Sequence, residues 1–300
     1  MNDVPLPVVI GLGELLWDCF GESRRPGGAP ANVAYHAGQL GARGVICSRV
    51  GSDHLGDELI RYLHDRGLET DFVQRDPQHP TGTVTVDASQ PHDPRYVIHE
   101  NVAWDYLEPR EDLLALAAQA EAVCYGTLAQ RSPATRDTIA TVLTHGADAL
   151  KVYDVNLRPP WFNPQLTQAS LGRCDVVKLN AEEVRQVAEM LSFPSSEPHD
   201  FAHTLFDRYD LRLVCVTRAS DGVLAIAPDE HVDLPGKSIR VADTVGAGDS
   251  FTAALIHGLL NDWPLQRTVR FANEVGALVA SRSGAMPALR AEFAFLALER

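Results

Sequence analysis

Asp243-Thr244-Val245-Gly246-Ala247-Gly248-Asp249-Ser250-Phe251 stands between an extended run, Ser238-Ile239-Arg240-Val241, and a helix read from Phe251 to Leu260. Apolar Phe251, Leu255 and Leu259 recur at spacings of four, the period of one helix face. Free N–H groups at such a helix start form an anion site, reinforced by the positive end of the helix dipole. Gly246 and Gly248 let the backbone approach a phosphate closely. Asp249 then lies beside that anion. A carboxylate is a poor ligand for an anion but a good base for a hydroxyl that attacks one. The pattern points to phosphoryl transfer to an alcohol. The plainer alternative is a helix start with Asp as its N-cap.

Outward from this stretch, short apolar runs alternate with helical patterns. Pro7–Gly11 and Gly44–Val50 read as strands, Pro30–Leu40 and Leu55–Arg66 as helices. Between Asp71 and Trp104 the rhythm changes. Thr83-Val84-Thr85-Val86 and Arg95-Tyr96-Val97-Ile98 alternate, as antiparallel strands with one solvated face do. Val84 and Val86 would share one face, as would Tyr96 and Ile98. Strands are then expected at Ala122–Tyr125, Lys151–Asp154, Asp175–Leu179 and Arg212–Thr217, with helices between them. The fold class is therefore α/β, a mostly parallel sheet covered by helices, with a small antiparallel insert standing off it.

Composition narrows the function. The 300 residues are 45% hydrophobic, enough for a sizeable core. A formal net charge of −14 argues against broad nucleic-acid binding, which needs a basic footprint. The five scattered cysteines contain no C-x-x-C pair and read as reduced core thiols. No apolar run is long enough for a membrane span, and the first residues lack a basic signal region. A cytoplasmic protein is expected, with no membrane partner.

A second glycine pair, Gly27-Gly28-Ala29-Pro30-Ala31-Asn32, enters the helix near residue 30. Backbone N–H groups beside a neutral amide suit sugar hydroxyls, which Asp18 could also bind. A tight turn with a solvated Asn is the simpler reading of the same letters.

The segments G-L-G-E-L-L-W-D, G-G-A-P-A-N-V-A, R-V-G-S-D-H-L-G-D, D-V-N-L-R, K-L-N-A-E-E and D-T-V-G-A-G-D-S-F occur in one order along the chain. In that order they resemble the signatures of the ribokinase-like (PfkB) carbohydrate kinases, and the first two are most similar to the fructokinase branch. The resemblance implies one kinase domain over residues 1–300, with a three-layer fold. Its central sheet would have about eight or nine strands, with a β-lid formed by about 12–24 and 71–104. It implies Asp249 as catalytic base, Gly246, Ala247 and Gly248 as anion hole, and Arg158 as a clamp on the transferred group. Asp18, Gly28, Asn32, Asn101 and Asn156 would bind the sugar. Asn180, Thr217, Ala219, Gly222 and Asn273 would bind ATP, and Glu183 would organise Mg²⁺ through water. Asn180 and Glu183 also fit a helix-capping box. A K⁺ site is implied around Asp243, Val245, Val279, Arg282 and Gly284, although Ala288 stands where relatives carry a hydroxyl. Ala219 likewise replaces a glycine of the family's loop. In the lid, Glu100 stands where fructokinases carry an Arg, a change that favours neutral over acidic sugars. Trp104 reads as a lid-core aromatic or as a residue stacking on the sugar. A homodimer through the lid is also implied.

Other signals are weaker. Gly11-Leu12-Gly13 lacks the third glycine of a dinucleotide fingerprint, and no G-x-x-x-x-G-K-[ST] loop occurs. His199 and His203 stand four apart, but flanking Asp200 and Asp207 indicate a solvated helix. His99 reads as a lid residue. The resulting expectation is an ATP-dependent kinase acting on a primary sugar hydroxyl, with fructose first. Ribose, a nucleoside or 2-keto-3-deoxygluconate are alternative substrates, and a non-catalytic sugar or nucleotide sensor is the alternative class.

Overall fold

Runs such as Val8–Leu12 and Ala122–Gly126 are buried along their whole length. Such runs belong in a parallel sheet covered on both faces. The computed structural model describes residues 5–87 and 95–298. Its strands are β1 (Val8–Leu12), β2 (Leu16–Phe20), β3 (Ser23–Gly27), β4 (Arg43–Gly51), β5 (Val73–Asp76), β6 (Gly82–Asp87) and β7 (Arg95–Ile98). They continue as β8 (Ala122–Gly126), β9 (Leu150–Asp154), β10 (Val176–Asn180), β11 (Leu213–Thr217), β12 (Val223–Ile226) and β13 (His231–Leu234). Nine of them form one sheet in the order β13-β12-β11-β10-β9-β8-β1-β4-β5. From β5 to β11 all neighbours are parallel, and β12 and β13 fold back antiparallel at the edge.

The pleat divides the core into two layers. In β1, Val8, Ile10 and Leu12 face one cluster with Phe201 and Leu205, while Val9 faces another with Leu255 and Phe293. β11 repeats this, with Val214 and Val216 on one side and Leu213 and Cys215 on the other. Each fully buried Ile or Leu contributes about 1.5–3 kcal/mol, so covering both faces is what stabilises so long a sheet. Gly11 has a packing role: a Cβ there would lie 2.0 Å from the Pro30 carbonyl oxygen. It lets the Ala29–Gln39 helix start directly on β1.

A second, four-stranded sheet has the order β3-β2-β6-β7. Its hairpins β2–β3 and β6–β7 are antiparallel, and a parallel β2–β6 pair joins them. Val84 packs with Leu16, Phe20 and Ile98; the side chains of Val86 and Tyr96 lie outside the described residues. Of the 71–104 stretch, Val73–Asp76 pairs with β4 in the large sheet instead.

Three expectations change. Ser238–Val241 pairs with no strand among the described residues. The helix after it begins at Ala247, four residues before Phe251. Trp104 is buried at 1% exposure, with the Arg131 guanidinium 4.0 Å over its ring. It is a core aromatic, and Arg131 covers one face of its ring.

Candidate active site

The ends of β1, β9, β10 and β11 carry polar residues at one edge of the sheet. Ligands of open α/β sheets bind in the crevice outside the carboxyl ends of the strands. Gly246 takes φ +80° and caps the Ala247–Leu260 helix, where a Cβ would meet Ala285 atoms at 2.6–2.9 Å. Only glycine tolerates both that backbone and that contact. The Gly248 and Asp249 amides, in the first turn, find no backbone acceptor among the described residues. They are the unpaired donors that every helix start presents. Asp249 is not the N-cap, because its side chain bonds elsewhere.

Its partner is Asn32. The Asn32 amide nitrogen donates to Asp249 Oδ2 at 2.6 Å, across 217 residues of sequence. The two glycine-rich segments therefore meet at their first helical turns. Burial pushes the Asp249 carboxyl up to about 6, and the Asp154 charge adds to this. The Asn32 bond, Lys178 and Arg158 pull it back down. A carboxylate so placed is unprotonated near neutrality yet more basic than in water, as a general base should be.

Two acids lie near Arg158 and the start of the Ala29–Gln39 helix. Asp18 on β2 is half-buried and pushed up to about 6 by burial, opposed by the Arg158 guanidinium. Glu14 follows β1 and is 4% exposed. Its Oε1 accepts the Ala29 amide at 3.3 Å, while Oε2 is buried without a partner. Burial lifts Glu14 to about 7; Asp249 raises it further and Arg158 lowers it. Arg158 itself is exposed and has no ion-pair partner among the described residues. One guanidinium thus influences Glu14, Asp18 and Asp249 together. The buried Asn32 Oδ1 also lacks a partner. Unpaired polar atoms of this kind belong where a ligand or water completes the bonding.

Beneath the helix start lies a buried network that sequence reasoning missed. Lys178 Nζ donates to Asp154 Oδ1 and Oδ2 at 3.1 and 3.2 Å, and Thr252 Oγ1 donates to Asp154 Oδ2 at 2.8 Å. Lys178 Nζ would stand 3.1 Å from a Cβ at Gly248. Burial alone would discharge the ammonium, but Asp154, Glu183 and Asp249 hold its affinity for the proton above the ordinary value. The sequence signal was a lysine inside the otherwise apolar run Val176-Val177-Lys178-Leu179. A charge in a strand covered on both faces needs a buried partner. Glu14 carried the same signal within Gly13-Glu14-Leu15-Leu16.

The other expected residues are distributed as follows. Gly28 is the N-cap of the Ala29–Gln39 helix at φ +118°. Asn180 and Glu183 form a full capping box, and Glu183 Oε1 also accepts the Leu157 amide at 3.0 Å. Glu183 therefore ties the D-V-N-L-R segment to the start of the Ala181–Met190 helix. Asn156 takes φ +40° beside it. Thr217 donates to the Leu179 carbonyl at 3.3 Å. Ala219 takes φ +49°, in the left-handed region that favours glycine, and Gly222 follows at φ +95°. Asn273 donates to the Pro235 carbonyl at 3.0 Å. Asp243 Oδ2 accepts the Gly284 amide at 3.1 Å and Arg25 of β3 at 3.0 Å. Val279 accepts the Arg282 amide at 2.9 Å, and Val245 donates to Asp243 Oδ1 at 3.1 Å. These five residues surround one junction of two loops. Asn101 is exposed at φ +54°, and its oxygen accepts from Tyr106 at 3.4 Å. No hydrogen bond links Asn101 or Asn273 to the Asp249 centre among the described residues.

Residues 7–292 match the pfkB family of carbohydrate kinases. A fructokinase of Salmonella typhimurium is 32% identical over 93% of this chain and 94% of its own. A sugar kinase of Pyrococcus horikoshii, solved in complex with ATP, is 27% identical with a TM-score of 0.79, covering 94% of each chain. A fructokinase double mutant of Vibrio cholerae, solved with fructose, ADP and potassium bound, is 26% identical with a TM-score of 0.80, covering 99% of each chain.

Proposed function

The chain belongs to the pfkB family and is an ATP-dependent carbohydrate kinase, and we propose that its substrate is fructose. The observation that carries this reading is the 2.6 Å bond between Asn32 and Asp249. It sets a sugar-facing amide and a base of raised proton affinity against unpaired amides suited to phosphate. In this reading Asp249 removes the proton of a primary hydroxyl, which attacks the γ-phosphoryl group in line. The Gly248 and Asp249 amides and Arg158 neutralise charge developing on the phosphoryl oxygens. Asp18 and Asn32 hold the sugar hydroxyls, joined by Gly28, Asn101 and Asn156. The four-stranded sheet acts as a lid that excludes water and so limits idle ATP hydrolysis.

Magnesium enters with ATP as part of the substrate. Each Glu183 carboxylate oxygen already accepts one backbone amide, from Leu157 and from Asn180. Each keeps a lone pair for water, which suits an ion that retains much of its hydration. Asn180, Thr217, Ala219, Gly222 and Asn273 would line the nucleotide path. A K⁺ ion would belong where the two loops meet at Asp243 and Gly284, with Ala288 supplying no ligand. A homodimer through the lid would cover Val97, which is 53% exposed, since Val84 is already buried within one chain. The five unpaired cysteines suit a reducing cytoplasm.

Fructose over acidic sugars is favoured by Glu100, which is exposed at the end of β7 where fructokinases carry an Arg. ADP release measured with fructose, ribose, a nucleoside and 2-keto-3-deoxygluconate tests the reading. Fructose should give the highest kcat/KM. A higher value for 2-keto-3-deoxygluconate would reassign the substrate, and no turnover with any of them would favour a sensor.

A further inference from the structure

A cavity of about 530 Å³ lies on the far side of the loop that closes the phosphate site. It is bounded by β3, the Ala29–Gln39 and His54–His64 helices, and the Ser283–Ala288 loop. Its volume falls in the range of small-molecule sites. Of its lining, only Gly284 and Arg25 border the Asp243 junction described above, and none touches the Asp249 centre.

Its lining is unusual for a chain of net charge −14. Two guanidiniums, Arg25 and Arg66, face it against the single carboxylate of Asp65. Arg66 is held flat, 3.4 Å over the Tyr62 ring, and has no carboxylate partner among the described residues. Its Nη1 donates to the Tyr62 carbonyl at 3.4 Å, and the Nε and Nη2 donors remain for phosphate oxygens. Arg25 gives one nitrogen to Asp243 and keeps its remaining donors.

Tyr35 supplies the second observation. The residue is 5% exposed, with its ring packed in the core, and it lines the cavity with a hydroxyl that has no hydrogen-bond partner among the described residues and is reached from the cavity. With the Tyr62 ring and the Ser283 hydroxyl at the rim, the cavity combines an anion clamp with hydroxyl partners and an aromatic wall.

We propose that this cavity is a second binding site, for a phosphate monoester carried on a small polyol, separate from the Asp249 centre. The guanidiniums would take the phosphate, and Tyr35 and the loop would take hydroxyls. Its wall carries Ala285, which touches Gly246, so an occupant would abut the segment that closes the phosphate loop.

Calorimetric titration of the full chain with glucose 6-phosphate tests this without reference to turnover. Wild type and Asp18→Asn should bind alike, because Asp18 lies in the other site. Arg66→Gln, an exposed change, should weaken binding at least about tenfold, the effect of losing one charged contact. Tyr35→Phe should weaken it less, with melting temperature recorded to confirm folding. Binding that survives Arg66→Gln, or that disappears in Asp18→Asn, or no binding at millimolar concentration, would overturn the proposal.

Discussion

Replacing Glu14 by Gln should make the protein more stable above neutral pH and leave it little changed in acid. The carboxyl is 4% exposed, and its proton affinity rises from the ordinary 4.5 to about 7 on folding. The folded state therefore holds a proton that the unfolded state releases between these values. Stability falls as pH rises through that window, and the whole penalty is present above about 7. Each tenfold change in proton binding is worth about 1.4 kcal/mol, so the penalty is roughly 3 kcal/mol. Gln keeps an oxygen for the Ala29 amide and cannot ionise. Urea denaturation of both proteins at about pH 5 and pH 8 should show the variant gaining about 2–3 kcal/mol on wild type between the two conditions. Asp18 and Asp249 shift in the same direction in both proteins, so their share largely cancels in the difference. An identical pH dependence in the two proteins would refute the buried, raised Glu14.

The pH profile of kcat/KM should rise with unit slope and level off above about 6 as Asp249 loses its proton; a rate flat across about pH 5–7 would exclude it as the base. Lys178→Met leaves Asp154 buried and unpaired, costing about 3–5 kcal/mol in urea denaturation. Loss of that cation should also move the acid limb of the rate profile to higher pH, and an unmoved limb would separate Lys178 from Asp249. Ala219→Gly relieves a non-glycine residue at φ +49° and should stabilise by about 1 kcal/mol. A destabilised variant would show that this loop is not strained.

The large sheet was legible because its strands are short apolar runs between helical periods, and that pattern survives in any tertiary context. Its antiparallel edge was not: Val223–Ile226 and His231–Leu234 are four residues each, too short to show a period. The true start of the site helix was hidden because Gly246-Ala247-Gly248 is glycine-rich and reads as a loop, although its amides belong to the first turn. Ser238–Val241 has strand-like alternation but no neighbour to pair with. At the site, Asp249 and Asn32 stood out through local motifs, whereas their contact spans 217 residues and only folding reveals it. Lys178 and Glu14 were single charges in apolar runs. Their partners, Asp154 and the Ala29 amide, lie 24 and 15 residues away. The Asp105–Arg131 pair, at 2.8 Å across 26 residues, likewise appears only on folding, and it sets the Arg131 guanidinium over the Trp104 ring.

Asp249 as the group that takes the proton of the sugar hydroxyl is tested most directly by ADP release from Asp249→Asn with fructose as acceptor, alongside ATP binding by the same variant. The variant's kcat should be lower by about 10²–10⁴-fold with the fold and ATP affinity retained, since Asn preserves the shape and the contact with Asn32 but cannot accept the proton. An Asp249→Asn variant that keeps more than half of the wild-type kcat would contradict it.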